Sequence, residues 1–243
     1  MTQNLSDLDI LHGILTSLFV FISILVALRI LSRYYEHKHK ELITVGLAWM
    51  AISTPWWGNS FSFLLYMTMG LKLDLFTYLF IENAFAPLAL IFWIYSFTTL
   101  AYPKLVKKLT ILFSLICIPY EIFLITMLVI NPEFIGTLVE PFDSQHTLVP
   151  NAFRVFAIFI VLLTGILFSK KSMSSEDKNI QWKGRFFLIG IISFTIGGLL
   201  DTVLTFTPLE LIIVRALLIS SAFEYYFGFF LPDRIANLLI KNK

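Results

Sequence analysis

Seven apolar stretches, each long enough to cross a bilayer, leave this chain almost no freedom of fold class. A helix needs about 20 predominantly apolar residues to span the hydrocarbon core. The stretches are Ile10–Leu31, Leu42–Leu65, Leu75–Leu100, Leu109–Ile130, Val149–Phe168, Phe186–Val203 and Leu209–Leu231. They take up most of the 243 residues and leave no room for a soluble domain. A charged fraction of 14% and a mean hydropathy of +0.83 agree, since soluble domains carry about 25% charge. The expected fold is all-α: one polytopic seven-transmembrane-helix bundle over residues 1–243.

The loops orient it. Lys and Arg concentrate after spans one, three, five and seven, from Arg33, Lys38 and Lys40 to Arg234, Lys241 and Lys243. The opposite connections hold only Lys72, beside Asp7, Asp9, Asp74, Glu133, Glu140, Asp143 and Glu210. The positive-inside rule then places the N-terminus outside and the C-terminus in the cytoplasm, in the cell membrane. The opening MTQNLSDLD has no basic residue, so the first span is expected to be retained rather than cleaved as a signal. Cys117, the sole cysteine, lies within a span and leaves no intramolecular disulfide to form.

Segment 131–149 is the longest outer connection and a candidate lid, and 233–243 forms a short cytoplasmic tail. Around PFDSQ the strand signals are weak, which favours a plain irregular loop over a small hairpin. Such a loop should tolerate deletion of Glu140–Gln145.

Six ionisable residues fall inside spans: Glu82, Glu121, Arg154, Asp201, Arg215 and Glu224. Each costs several kcal/mol unless paired or wet, so each needs a partner. Asp201 and Arg215 both lie seven residues from Pro208, which centres a turn. That sets them level, about 10 Å below it at 1.5 Å per residue, and opposite in sign. Glu82 and Gly58 are likewise equidistant from Gly70, so Glu82 stands level with TPWWGNS. There Pro55 can free a carbonyl, and Trp56, Trp57, Asn59 and Ser60 offer rings and hydrogen-bonding groups. Tyr78 lies one turn before Glu82 on the same face. Glu121 and Arg154 also fall in the outer half.

Two readings stay open. The charges are structural ion pairs locking a bundle, or they line a polar, aromatic-rimmed cavity open to the outside, built from Trp56, Trp57, Asn59, Tyr78, Glu82, Glu121, Arg154, Asp201 and Arg215. Below Arg215, Leu218, Ile219 and Ala222 make its helix face apolar, so a cavity there should end blind. Glu224 lies on the opposite face in the inner half, with Arg29 as the expected partner in a structural tie or a coupling contact.

Several chemistries lack their residues. No lysine lies within a span to hold a retinal Schiff base. His12, His37, His39 and His146 lie at helix ends or in loops, so neither a buried zinc site nor a serine–histidine pair is evident. No phosphate-binding Gly-rich loop occurs. Neither enzymatic activity, a cofactor, a metal nor nucleic acid is expected.

The stretch SSAFEYYFGFFLPDR, residues 220–234, resembles the close of the seven-span sensor modules that precede histidine kinases and related signalling domains in prokaryotes. Those modules end their last helix in an aromatic-Gly-aromatic run and a Pro. Only some eleven residues follow Pro232 here, so the resemblance implies a sensor acting through a separate cytoplasmic signalling protein. G-protein-coupled receptors share the topology, but YSFTTLAY holds no DRY and the last span no NPxxY. The expected function is therefore an orphan sensor or receptor-like module. It would bind a small-molecule or lipid ligand in an outer cavity, among membrane lipids. The alternatives are a proton or solute conductor relaying through Glu82, Glu121, Asp201 and Glu224, and a ligand-free assembly subunit.

Overall fold

The computed structural model describes residues 5–139, 141–203 and 207–240. Glu140 of the expected lid, part of the turn before Pro208, and Lys241 and Lys243 of the tail lie outside these residues. Ten α-helices and one hairpin are present among the described residues. In chain order they are α1 (Asp7–His37), α2 (Glu41–Ile52), α3 (Trp57–Met69), α4 (Leu75–Asn83), α5 (Ala86–Ala101), α6 (Val106–Ile130), β1 (Gly136–Val139), β2 (Asp143–His146), α7 (Leu148–Met173), α8 (Lys178–Val203), α9 (Pro208–Phe229) and α10 (Asp233–Ile240).

Among the described residues, six helical stretches are long and apolar enough to cross a membrane. They are α1, α4 with α5, α6, α7, α8 and α9. Their outer faces bear Ile14, Phe21 and Leu25 on α1 and Leu115, Ile122 and Val129 on α6, all exposed. Apolar stripes of that extent are solvated by lipid, not water. The chain is an all-α, multi-pass membrane bundle.

The second apolar stretch departs from the expected single helix. A 3-10 turn over Thr54–Trp56 divides it into α2 and α3, of 12 and 13 residues. Neither half crosses a bilayer alone at 1.5 Å per residue. Pro55 is the cause, because it donates no N–H and its ring obstructs the preceding turn. Hydroxyls repair the exposed carbonyls: Ser53 donates to Met50 O at 2.7 Å and Thr54 to Ala51 O at 2.8 Å. A second break separates α4 from α5 just before Pro87, and Asn83 Nδ2 donates to Leu79 O there. Both breaks flank the same interior space.

Helix starts are set by local chemistry. Ser6 with Asp9, and Thr207 with Glu210, form reciprocal capping boxes on α1 and α9. Close approach of α8 and α9 depends on small residues. A methyl on Gly190 would sit 3.0 Å from Tyr225 N, and one on Gly197 2.9 Å from Leu218.

The 131–149 connection is a hairpin, contrary to the irregular loop expected. Gly136 pairs with His146 and Val139 with Asp143. Two anchors seat it. Ile135 is fully buried with Leu79, Leu124 and Leu128, and Phe142 packs edge-on against Phe63 and Tyr66. Tertiary packing overrides the weak local strand preference of DSQH.

Candidate functional site

Arg215 points into the bundle from the second turn of α9 and is 2% exposed. Its guanidinium is used on all three nitrogens. Nη1 donates to Asp201 Oδ1 at 2.7 Å, Nε to Thr16 Oγ1 at 3.0 Å, and Nη2 to His12 Nε2 at 2.8 Å. Asp201 takes a second donor, Trp56 Nε1, at 2.6 Å. One arginine thus joins α1, α8 and α9, and the broken second stretch is tied on through Trp56. The planar, multi-donor fork of arginine suits this; the single point charge of lysine would not.

A second polar centre lies across the same space. Glu82, 5% exposed on α4, accepts from Ser144 Oγ at 2.8 Å and has His146 Nε2 at 3.2 Å and Arg154 Nη2 at 3.6 Å. Arg154 also donates to Asn83 Oδ1 at 3.1 Å, and its Nη1 lies 3.3 Å from His146 Nδ1. Donors crowd the imidazole on both nitrogens: Arg154 Nη2 and Asn83 Nδ2 lie 3.0 and 3.1 Å from Nε2, beside Glu82, and Arg154 Nη1 faces Nδ1, so a ring nitrogen that accepts from Arg154 carries no proton. Burial, then the Arg154 charge, holds the His146 pKa below its ordinary value, in keeping with a neutral ring. Ser144 and His146 both belong to β2, so the hairpin completes this centre.

Between the two centres lies a cavity of about 560 Å³. That is within the range of sites for small organic ligands. Its wall at the hairpin end is polar, with Asn59, Asp143 and Asn151 joining the residues above; Ala89, Leu90, Ile158, Val161 and Phe194 make an apolar floor. Below the floor, aromatic side chains stack in layers. Trp49 lies on Tyr225 at 4.3 Å between centroids, and Trp93 on Phe187 at 5.6 Å. Asp143 lines the cavity and is itself solvent-exposed, while neighbouring groups crowd out part of the hydration of its carboxyl. Burial, reinforced by the nearby Glu82 and Asp201 charges, pushes its carboxyl up to about 6.

Of the residues singled out by sequence, Trp56, Asn59, Glu82, Arg154, Asp201 and Arg215 line this cavity. Trp57, Tyr78 and Glu121 do not. Trp57 Nε1 donates to Ser53 Oγ, and the Tyr78 hydroxyl donates to Phe142 O at 2.8 Å, bracing the hairpin from behind. Glu121 sits on α6, half-buried, with Oε2 unpartnered among the described residues. Nor do Arg29 and Glu224 meet. Arg29 is exposed on α1, whereas Glu224 accepts from Ser220 Oγ at 2.6 Å and packs against Gly190 of α8. The face of α9 that meets α1 is the one used by Arg215, so Glu224, half a turn round, looks elsewhere.

Sequence reasoning missed His12, Thr16, Asn83, Asp143, Ser144 and His146. For His12 and Thr16 a signal existed: they are one turn apart and lie at the depth of Arg215 when counted from the α1 start. For Ser144 and His146 none did, because only the folded hairpin brings them inward. Neither a family model nor a curated protein matches the chain.

Proposed function

We propose that this chain is a receptor-like sensor module with seven membrane crossings, the α2–α3 pair making one of them, and with its N-terminus outside. In this reading a small molecule enters from the hairpin end, settles between the Arg215 and Glu82 centres, and biases contacts made by a cytoplasmic partner. α10, amphipathic with Leu238 exposed, is the element proposed to meet that partner. The reading is one of binding rather than catalysis. The observation that carries it is the cavity's shape: polar and aromatic at the hairpin end, closed beneath by Phe194 and the Trp49–Tyr225 stack. A blind pocket retains a ligand without passing it through. The two broken helices support it further, since interrupted helices are tolerated where they line a cavity.

A second reading, a proton or solute conductor, draws on three buried polar atoms below the floor with no partner among the described residues: Ser23 Oγ, Trp49 Nε1 and Thr195 Oγ1. Waters linking them would make a path.

Gly198 separates the readings. A methyl there would rest 3.8 Å from Trp56 and 3.9 Å from Ile158, ordinary contact, while a phenylalanine would project its ring into the cavity that Gly198 lines. A small-molecule library is screened by thermal shift on purified protein in nanodiscs. Hits should stabilise the wild type and Gly198→Ala but not Gly198→Phe, and liposomes holding a pH dye should show no proton flux. Flux above that of empty liposomes, abolished by Gly198→Phe, would replace the sensor by the conductor.

A further inference from the structure

The charges lining the cavity do not balance. Four carboxylates, on Asp9, Glu82, Asp143 and Asp201, face two guanidiniums, on Arg154 and Arg215. Both histidines have ring nitrogens placed to accept from those guanidiniums, which favours their neutral forms. Asp201 and Glu82 are matched by the arginines. Asp9 is occupied in capping α1, where Ser6 N and Oγ both donate to its Oδ2. Asp143 is left over. Its Oδ1 accepts the Ser144 N–H at 2.8 Å, and no cationic side chain among the described residues forms an ion pair with it.

A second, independent observation points the same way. Asn59 lines the cavity and is 6% exposed, yet its Oδ1 has no hydrogen-bond partner among the described residues. A buried amide oxygen left without a donor costs about 1–3 kcal/mol, which a ligand N–H would recover. An unpaired carboxylate and an unsatisfied carbonyl oxygen together ask for a group rich in N–H donors and free of acceptors. An ammonium has three donors and no acceptor.

Building on the cavity reading above, we propose that the site takes a small organic cation, a primary ammonium joined to an apolar or aromatic body. The ammonium engages Asp143 and the Asn59 carbonyl. The body lies on the floor of Leu90, Ile158, Val161 and Phe194, with the Trp56 ring alongside. An anionic ligand would instead meet the surplus carboxylate; Arg215 and Arg154 are paired with Asp201 and Glu82, although Arg154 Nε is buried with no partner among the described residues.

Three probes of one shape and different charge test this on wild-type protein in nanodiscs: 4-phenylbutylamine, 4-phenylbutan-1-ol and 4-phenylbutyrate. By isothermal titration the amine should bind at least tenfold more tightly than the alcohol, and the acid weakest. Asp143→Asn and Asn59→Leu should each weaken the amine about tenfold or more and weaken the alcohol distinctly less. Discs with and without phosphatidylethanolamine identify the source of the ammonium. Competition by that lipid assigns it to a headgroup, and none assigns it to a soluble amine. An alcohol or acid that binds as well as the amine overturns the proposal, as does an Asp143→Asn protein with unaltered amine affinity. If no probe binds, the ammonium proposal falls, and the unbiased library screen decides separately whether the cavity reading falls with it.

Discussion

Arg215 Nη2 donates to His12 Nε2 across 2.8 Å, joining two residues 203 positions apart in sequence. The contact closes the bundle, because α1 and α9 are its first and last long helices. It also fixes the imidazole: a nitrogen that accepts from a guanidinium carries no proton, so the His12 proton resides on Nδ1. With Thr16 and Asp201 on its other nitrogens, every nitrogen of Arg215 is engaged and its charge is matched by Asp201. Its role is to shape the wall.

That role predicts a specific pattern of instability. Arg215→Leu strands the Asp201 carboxylate with only the Trp56 N–H to hold it, and removes donors from His12 and Thr16. Breaking a buried pair from one side typically costs about 3–5 kcal/mol. The lower end is expected here because Asp201 retains 19% side-chain exposure to the cavity. Asp201→Asn combined with Arg215→Leu should be milder than the sum of the two single changes. Thermal unfolding midpoints of the four proteins in one detergent measure this, and strict additivity would show that the two residues are not energetically paired.

The hairpin yields a prediction opposite to the one its loop-like sequence suggests. Deleting 141–145 removes Phe142 from its Phe63–Tyr66 seat, takes the Tyr78 hydroxyl's acceptor and uncovers Glu82. Folded yield should drop sharply. Ser144→Ala, which loses only the hydroxyl donating to Glu82, should cost about 1.5–3 kcal/mol, as expected for a hydrogen bond to a charged group. Normal yield of the deletion protein in size-exclusion chromatography would mean that the hairpin is a surface lid after all.

How far the sequence spoke depended on whether geometry was local. Asp201 and Arg215 could be set level because both count from one turn at Pro208, and Glu82 could be set beside Trp56 by the same counting from Gly70. Counting inward from the start of α1 adds His12 and Thr16, although His12 stands so near the helix end that its sequence position alone reads as a surface residue. The pairing of Arg29 with Glu224 failed because adjacency of two helices does not say which faces meet. Nothing local announces Ser144 and His146 as cavity residues. DSQH is a poor strand sequence, and its place is decided by Ile135 and Phe142, which find their partners on α3, α4 and α6 only in the folded chain. The break between α4 and α5 was signalled by Pro87, yet the apolar run through it hid the interruption.

The remaining prediction concerns pH and rests on Asp143 as the ammonium's partner. The groups that face it are Asp9 and His12 on α1, Tyr78 and Glu82 on α4, His146 on β2, Arg154 on α7, Asp201 on α8 and Arg215 on α9. Burial raises its carboxyl to about 6, with Glu82 and Asp201 adding to the rise and Arg215 opposing it. A bound ammonium favours the ionised form and lowers that value. The amine itself stays charged across the range, since alkylammonium groups titrate near 10. The sign follows. Affinity is complete above about pH 6, where Asp143 is already ionised. It weakens as pH falls below that point, by up to about tenfold per unit, because binding must then expel a proton. The alcohol probe, lacking the charge, should show little slope over the same interval, and Asp143→Asn should flatten the amine's profile. Titrations of 4-phenylbutylamine between pH 5 and 8 measure it. A wild-type affinity that is level throughout, or that rises on acidification, would take Asp143 out of the binding site.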